Sequence, residues 1–340
     1  MAHACSRVLW VRSGQPVLVG RTMDWFEPMK TNLWALPRGI ERTGLAGKNS
    51  LHWTSRYGSV VAVVYDFASA DGMNEKGLAA NILWLAEADY GHRDKNLPGL
   101  SVSLWAQYYL DNYATVAEAV EATEKGRFQL VPVTVGIREK MSSTVHLSLA
   151  DKGGDSAIIE YAGGKPMIYH ARQYTVMTNS PTFDKQLELA KQYEGLGGDQ
   201  PLPGTSDAHD RFVRASYYVK HLPMPANYRE AVAAMLSVMR NVSAPFGTDE
   251  PGKPNISATI FRTVADLTNG VYFYESTNSP NIVWLELDHL KLAAGAPVEK
   301  LDLVEHSDLV GDVTRQFRPA APFKFLSAGA HPTEIFKISQ

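Results

Sequence analysis

Apolar residues fall in short runs along the first hundred positions, broken by Gly, Pro, Ser and Asp, a pattern of strands rather than helices. Residues 5–11 and 17–22 read as two antiparallel strands joined at Ser13-Gly14-Gln15. Leu33-Trp34-Ala35-Leu36 is another short strand, closed by Pro37. Residues 57–67, centred on the β-branched run Ser59-Val60-Val61-Ala62-Val63-Val64-Tyr65, predict a buried central strand. Gly72-Met73-Asn74-Glu75-Lys76-Gly77 predicts a turn, and the apolar run at residues 78–85 predicts the strand that completes a second hairpin.

After Pro98 the period changes. Residues 100–113 carry Leu100, Leu104 and Tyr108 at helical spacing, and Thr115-Val116-Ala117-Glu118 is a capping box that opens a helix reaching about Thr123. Strands are expected again at 144–149, 157–161, 166–170 and 174–178, with a turn at 151–155. Helices follow at 183–192, 209–221 and 227–238, the last with an amphipathic face of Val232, Met235, Leu236 and Met239. Strands at 256–263, 270–275 and 282–287 complete the pattern, and the Pro-rich tail after Leu303 is expected to wrap the surface. Antiparallel strands alternating with helix pairs predict an α+β chain of two face-to-face antiparallel sheets with helices outside both. No repeat, low-complexity segment or linker interrupts residues 5–340, which read as one domain.

Composition narrows the chemistry. The chain is 45% hydrophobic and 20% charged with a net charge of −3, so it has material for a large core and no basic stripe for nucleic acid or an anionic membrane. No apolar run approaches the ~18 residues of a membrane span. One cysteine occurs in 340 residues, at position 5. A lone thiol is either a small buried hydrophobe or a reactive group. It is preceded by Ala2-His3-Ala4, an A-x-A run of the kind a signal peptidase cuts after, so residues 1–4 read as the remnant of a signal or expression segment. Cleavage there would place the Cys5 thiol beside its own α-amine, a nucleophile with an adjacent base. The first hairpin would return Arg21 and Asp24 to that thiol, the cation to hold a thiolate and the carboxylate to orient the ammonium; otherwise they form a surface ion pair. A secreted or periplasmic location follows from the same reading.

Other candidates are weaker alone. Asn179, in Thr178-Asn179-Ser180-Pro181, could donate to an oxyanion or simply make an Asx turn; Thr277-Asn278-Ser279-Pro280 repeats the same four residues where a plain hairpin turn is expected. Arg211 and Arg214 lie near a helix start, on a solvated face or at a site. The ten histidines show no metal-ligand spacing, and no P-loop, G-x-S-x-G or G-x-G-x-x-G occurs, so neither metal nor cofactor is expected. Asn241-Val242-Ser243 and Asn255-Ile256-Ser257 fit the glycosylation sequon.

Taken in order, Cys5, Gly20-Arg21-Thr22-Met23-Asp24, Asp71-Gly72-Met73-Asn74-Glu75-Lys76-Gly77-Leu78, Thr178-Asn179-Ser180-Pro181-Thr182-Phe183 and Arg211-Phe212-Val213-Arg214-Ala215 resemble the choloylglycine hydrolase family. That family holds penicillin V acylases and conjugated bile salt hydrolases, N-terminal nucleophile hydrolases with a four-layer αββα fold. The resemblance implies Cys5 as nucleophile and base, Arg21 and Asp24 as its neighbours, Asn179 with a backbone N–H near Trp84 as oxyanion donors, and Arg211 in support. Trp84 stands where bile salt hydrolases often carry Asn and Gram-positive penicillin V acylases Tyr. With Trp25 it resembles the Gram-negative branch, where export signals are common and activity extends to N-acyl homoserine lactones. Trp25 and Trp84 are therefore expected to bind the acyl group of a small-molecule acyl amide substrate. A homo-oligomer, a tetramer in the family, is implied as well, although the segment between Ser180 and Arg211 is short beside Gram-positive members. The rivals are a conjugated bile salt hydrolase, a papain-like Cys-His-Asn site, and a non-catalytic acyl-amide binder of the same fold.

Overall fold

The computed structural model describes residues 5–135, 141–196, 201–246 and 257–330. Met1–Ala4 and the expected strand start at Ile256 lie outside the described residues. The chain opens with β1 (Cys5–Trp10), β2 (Leu18–Trp25), β3 (Asn32–Leu36), β4 (Ser59–Val64), β5 (Ala68–Asn74) and β6 (Leu78–Trp84). Helices α1 (Trp105–Asn112) and α2 (Val116–Glu124) follow, then β7 (Val145–Asp151), β8 (Ser156–Ala162), β9 (Lys165–His170) and β10 (Val176–Met177). Next come α3 (Phe183–Ala190), α4 (Ala208–His221) and α5 (Tyr228–Asn241), then β11 (Ala258–Asp266), β12 (Val271–Ser276), β13 (Ile282–Glu286), β14 (Glu299–Leu301), β15 (Gly311–Asp312) and β16 (Arg318–Pro319).

These strands form two large sheets. The seven-stranded one has the order β10-β1-β2-β11-β12-β13-β15, the nine-stranded one β9-β8-β7-β6-β5-β4-β3-β14-β16. All pairs are antiparallel except β13 with β15. Helices α4 and α5 cover the first sheet over β1 and β2, and α1 covers the second over β5 and β6. The result is the expected α+β sandwich, αββα in layers.

Strand alternation builds those layers. In β4, Val60, Ala62 and Val64 belong to the apolar cluster shared with the first sheet, whereas Val61 and Val63 join Trp105 and Tyr109 under α1. In β1 the odd residues face the second sheet: Arg7 crosses the layer to Ser156 Oγ and the carbonyls of Leu149 and Tyr174, each at 3.2 Å. Even residues face the helices. A Cβ on Gly20 would stand 2.5 Å from the Met239 sulfur and 2.7 Å from that of Met235, so only glycine lets α5 sit this close to β2. The helix starts follow their caps. Thr115 accepts the Glu118 N–H at 3.2 Å and Asn227 the Glu230 N–H at 3.0 Å, an arrangement worth ~1 kcal/mol each.

Four expectations are corrected. Residues 72–77 are not one turn, because β5 runs through Asn74 and only Glu75-Lys76-Gly77 turns, with Gly77 at φ +81°. β4 and β6 are therefore both partners of β5, not of each other. Gly72 and Asn74 read as turn formers, but the strand absorbs them. Asn74 Nδ2 donates to the Leu110 and Tyr113 carbonyls, each at 2.8 Å, and a Cβ on Gly72 would meet the Val60 carbonyl at 2.4 Å. The helix expected from residue 100 begins at Trp105, because Gly99–Ser101 pairs in parallel with Gln129–Val131 and the Ser101 and Ser103 hydroxyls both hold the Leu326 carbonyl. The strand expected over 57–67 ends at Val64. Finally, the tail supplies β15 to one sheet and β16 to the other rather than only wrapping them.

Candidate active site

Cys5 begins β1 and is 3% exposed, directly opposite Met23 in β2. Its thiol touches the backbone of the neighbouring strand: the Asp24 N–H points at Sγ at 3.5 Å, and Sγ–H lies 3.7 Å from the Asp24 carbonyl. Burial pushes the thiol's pKa up; Arg21 and Arg211 oppose that, and the Asp24 carboxylate adds to it. In the resting site the sulfur therefore keeps its proton, with two guanidinium groups placed to favour its loss.

The Cys5 nitrogen donates to Asn179 Oδ1 at 2.5 Å. The Asp24 carboxylate does not accept from this N–H. It is fully buried and accepts from Thr259 Oγ1 at 2.6 Å and from Thr22 Oγ1 at 3.4 Å. Desolvation raises the Asp24 pKa to about 6, against the pull of Arg211, Thr259, Arg21 and Thr22. Arg21 is also fully buried and sits opposite Arg7, one pleat along from Cys5. It donates to the Ile82 carbonyl at 2.9 Å and lies 3.9 Å from Asp71. Its Nη1 has no hydrogen-bond partner among the described residues, so it acts on the thiol through its field.

Arg211, one turn into α4, ties the pieces together. It donates to the Cys5 carbonyl and Ser6 Oγ through Nη1 at 2.5 and 2.7 Å, to Asn179 Oδ1 through Nη2 at 2.9 Å, and to the Ser206 carbonyl through Nε at 2.8 Å. Asn179 Oδ1 is thus shared by Cys5 and Arg211, while one Nδ2 hydrogen goes to the Trp84 carbonyl at 2.8 Å and the other can serve an incoming oxygen. Behind Asn179, His146 Nε2 reaches the Thr178 carbonyl at 2.8 Å and His146 Nδ1 reaches Glu160 at 2.9 Å. Glu160 also accepts the Phe183 N–H, which fixes the start of α3, and Gln186 donates to the Asn179 carbonyl. Arg214, expected on a solvated face or at the site, is buried and holds the Pro203 and Thr205 carbonyls instead.

Beside the thiol is a cavity of about 90 Å³ lined by apolar groups including Met23, Met29, Ile82, Trp25 and Trp84. The two indoles meet at 5.6 Å between ring centres with 50° between planes. Both tryptophans expected to face substrate therefore do line the space next to Cys5. A larger cavity of about 720 Å³, bordered by Arg38, Glu75, Lys76 and Lys152, shares no residue with it, and Arg38 and Glu75 there are ion-paired at 3.3 Å. Thr259, Ser6, His146 and Glu160 were missed in the sequence. Ser6 follows from strand alternation once Cys5 is placed, whereas Thr259 is set only by the β2–β11 register, which aligns it with Asp24 across 235 residues.

The family model of linear amide C–N hydrolases, choloylglycine hydrolase family, matches residues 5–310. A penicillin V acylase of Pectobacterium atrosepticum is 45% identical over 95% of this chain and 92% of its own length. A bile salt hydrolase/transferase of Clostridium perfringens is 25% identical over 80% of this chain and 88% of its own. Among solved structures, a penicillin V acylase from Agrobacterium tumefaciens superposes with a TM-score of 0.88 at 48% identity, covering 95% of this chain and all of that one (100%).

Proposed function

The chain belongs to the choloylglycine hydrolase family of linear amide C–N hydrolases, and on that premise we propose that it is a penicillin V acylase that also cleaves N-acyl homoserine lactones, with Cys5 as an N-terminal nucleophile. The observation that carries the proposal is the convergence of the Cys5 nitrogen, Asn179 and Arg211 beside an apolar cavity that the thiol itself lines. A base at that nitrogen requires a free amine, so the reading includes removal of Met1–Ala4.

In this mechanism the α-amine takes the Sγ proton, and the sulfur attacks the acyl carbon as the carbonyl π bond opens to an oxyanion. The free Nδ2 hydrogen of Asn179, with a backbone N–H near Trp84, stabilises that charge. The ammonium then returns its proton to the leaving nitrogen as the C–N bond breaks, leaving a thioester. Water, deprotonated by the same amine, attacks the thioester carbon and Sγ departs to regain its proton. Arg211 holds Asn179 Oδ1 and the Cys5 carbonyl throughout, so the strand end cannot swing away from the amide side chain. An α-amine titrates near ~7.7–8.0 and a thiol near ~8.5, close enough for this exchange at neutrality.

The narrow slot between indoles favours a flat phenoxyacetyl ring or a linear acyl chain over a bulky steroid acid. The test joins intact mass to a substrate panel. Active protein should begin at Cys5, and kcat/KM should be higher for penicillin V and long-chain N-acyl homoserine lactones than for glycocholate. Full activity with Met1–Ala4 attached would end the amine-base mechanism, and glycocholate as the best substrate would make the chain a bile salt hydrolase.

A further inference from the structure

Trp25 and Met29 line two cavities at once. One is the slot of about 90 Å³ beside Cys5; the other, of about 390 Å³, is bordered by Glu27, Ile260, Tyr274 and Leu303. The indole that divides them is pinned from behind. Its Nε1–H donates to the Tyr65 hydroxyl at 2.7 Å, and that hydroxyl donates its own proton to Glu27 Oε1 at 2.6 Å. The polarity leaves no choice of direction, because an indole can only donate and a phenol has one proton. Tyr65 and Glu27 are 3% and 5% exposed, so water does not compete for these bonds.

The backbone at Tyr65 is a second, separate observation. Tyr65 and Asp66 are the central residues of the turn joining β4 to β5, closed by the Phe67 N–H on the Val64 carbonyl at 3.1 Å, and both have φ of +54°. Such a left-handed pair is the natural place for Asn-Gly, and a tyrosine there is strained. The Tyr65 N–H in turn holds the Met29 carbonyl at 2.7 Å, so the turn fixes both residues of the dividing wall. A strained tyrosine whose hydroxyl and N–H both serve that wall is explained by the wall.

We propose that Tyr65 and Glu27 set the length of acyl chain the site accepts, by pinning Trp25 as the partition between the Cys5 slot and the second cavity. With the pin in place, a chain longer than the slot meets the indole. With the pin cut, the indole can turn aside and the chain runs on into the second cavity. The inference rests on the reading of the Cys5 slot as the acyl site, and it assigns the substrate limit of that site to Tyr65, which holds Trp25, and to Glu27, which holds Tyr65, rather than to groups at the reacting atoms.

Binding of free fatty acids tests this without turnover. Isothermal titration of hexanoate and dodecanoate into the intact wild-type chain, Tyr65→Phe, Glu27→Ala and Glu27→Gln gives the ratio of the two affinities in each. Each newly buried methylene is worth about a fourfold gain, so cutting the pin should raise the dodecanoate-to-hexanoate ratio by at least about tenfold. Both Tyr65→Phe and Glu27→Ala should do so, and Glu27→Ala makes the cut away from the strained turn if Tyr65→Phe folds poorly. Glu27→Gln keeps an accepting oxygen and should match wild type. An unchanged ratio in Tyr65→Phe and Glu27→Ala, with hexanoate still bound, overturns the partition alone. A Glu27→Gln shift equal to that of Glu27→Ala overturns the hydrogen-bonded pin. Neither acid binding any of the four proteins overturns the acyl-slot reading and the partition with it.

Discussion

Replacing Asp24 with Asn should move activity and stability in opposite directions. The carboxylate is fully buried, and desolvation lifts its pKa from the ordinary carboxylate range to about 6. The folded state therefore holds the Asp24 proton more tightly than the unfolded chain does. The stability linked to that proton is fully present below about pH 4 and is lost as pH rises through about 6. A shift of about two units corresponds to about 3 kcal/mol, carried as a cost by the ionised group at pH 7. Asparagine cannot ionise and can still accept from Thr259. For a chain of this size the entropy of unfolding turns about 3 kcal/mol into a rise of roughly 4 °C in Tm. The assay is thermal unfolding monitored by circular dichroism between pH 4 and pH 8, on protein whose mass shows Met1–Ala4 still attached, so that no ammonium adds to the local charge. Wild type should lose Tm across the window from about 4 to 6, and Asp24→Asn should lack that step. On the proposed mechanism, the ionised carboxylate, near enough to Cys5 to act on its charge, stabilises through its field the ammonium that forms when the amine accepts the thiol proton, so Asp24→Asn should lower kcat by about 10²-fold or more. It should also remove the acid limb of the kcat profile. A Tm at pH 7 equal to or below that of wild type, with the step intact, would refute the argument that burial dominates at this carboxylate.

Three other outcomes are expected. Asn179→Ala should lower kcat by about 10²–10³ with a smaller change in KM, since an oxyanion donor acts in the transition state; an equal loss in binding would make Asn179 a structural residue. Arg211→Lys keeps the charge but cannot span the Cys5 carbonyl, Ser6, Asn179 and Ser206 together, so kcat/KM should fall by at least about tenfold while circular dichroism stays native; full activity would dismiss the clamp. Trp84→Ala removes one of the two indoles that meet in the slot and should raise KM for penicillin V by about three- to tenfold; an unchanged KM would take Trp84 out of the acyl site.

Local pattern was enough for the strand that carries Cys5, because β1 and β2 are adjacent in sequence and their alternation follows from the residues themselves. The same holds for α5, whose cap and apolar face are both local. Asn179 shows where local reading stops. Thr178-Asn179-Ser180-Pro181 and Thr277-Asn278-Ser279-Pro280 share three residue types in order after a threonine, yet one follows an edge strand paired with β1 and the other links β12 to β13. Their difference lies in what the sheet brings opposite: Cys5 and Arg211 at the first, a plain turn at the second. The turn expected at 72–77 misled for a related reason. Gly72 and Asn74 read as turn formers, but the strand that holds them is anchored from afar: Asp71 beside them accepts from Asn81 at 3.0 Å, from Thr263 at 3.1 Å and from Tyr272, partners up to 201 residues away that make a buried strand position tolerable.

On the proposed mechanism, the charges around the thiol are balanced so that the favoured state is the one that would form during reaction. Arg211 spends its hydrogen bonds on neutral oxygens, three carbonyl or amide groups and one hydroxyl, so none of its charge is cancelled by direct pairing. Arg21 has one carboxylate, Asp71, at 3.9 Å, and that carboxylate is shared with Asn81, Thr263 and Tyr272. Two buried cations thus keep unspent field, and both act to favour the ionised sulfur. Burial and Asp24 work the other way and keep the resting thiol protonated. Negative charge arising on sulfur and then on the acyl oxygen enters a region of low dielectric already biased toward it, without any side chain having to move. The same burial makes a permanent thiolate costly. That division depends on Cys5 and Arg21 sharing the inner face of the sandwich while Asp24 and Arg211 lie on the helix side, and it is strand alternation in β1 and β2 that imposes it.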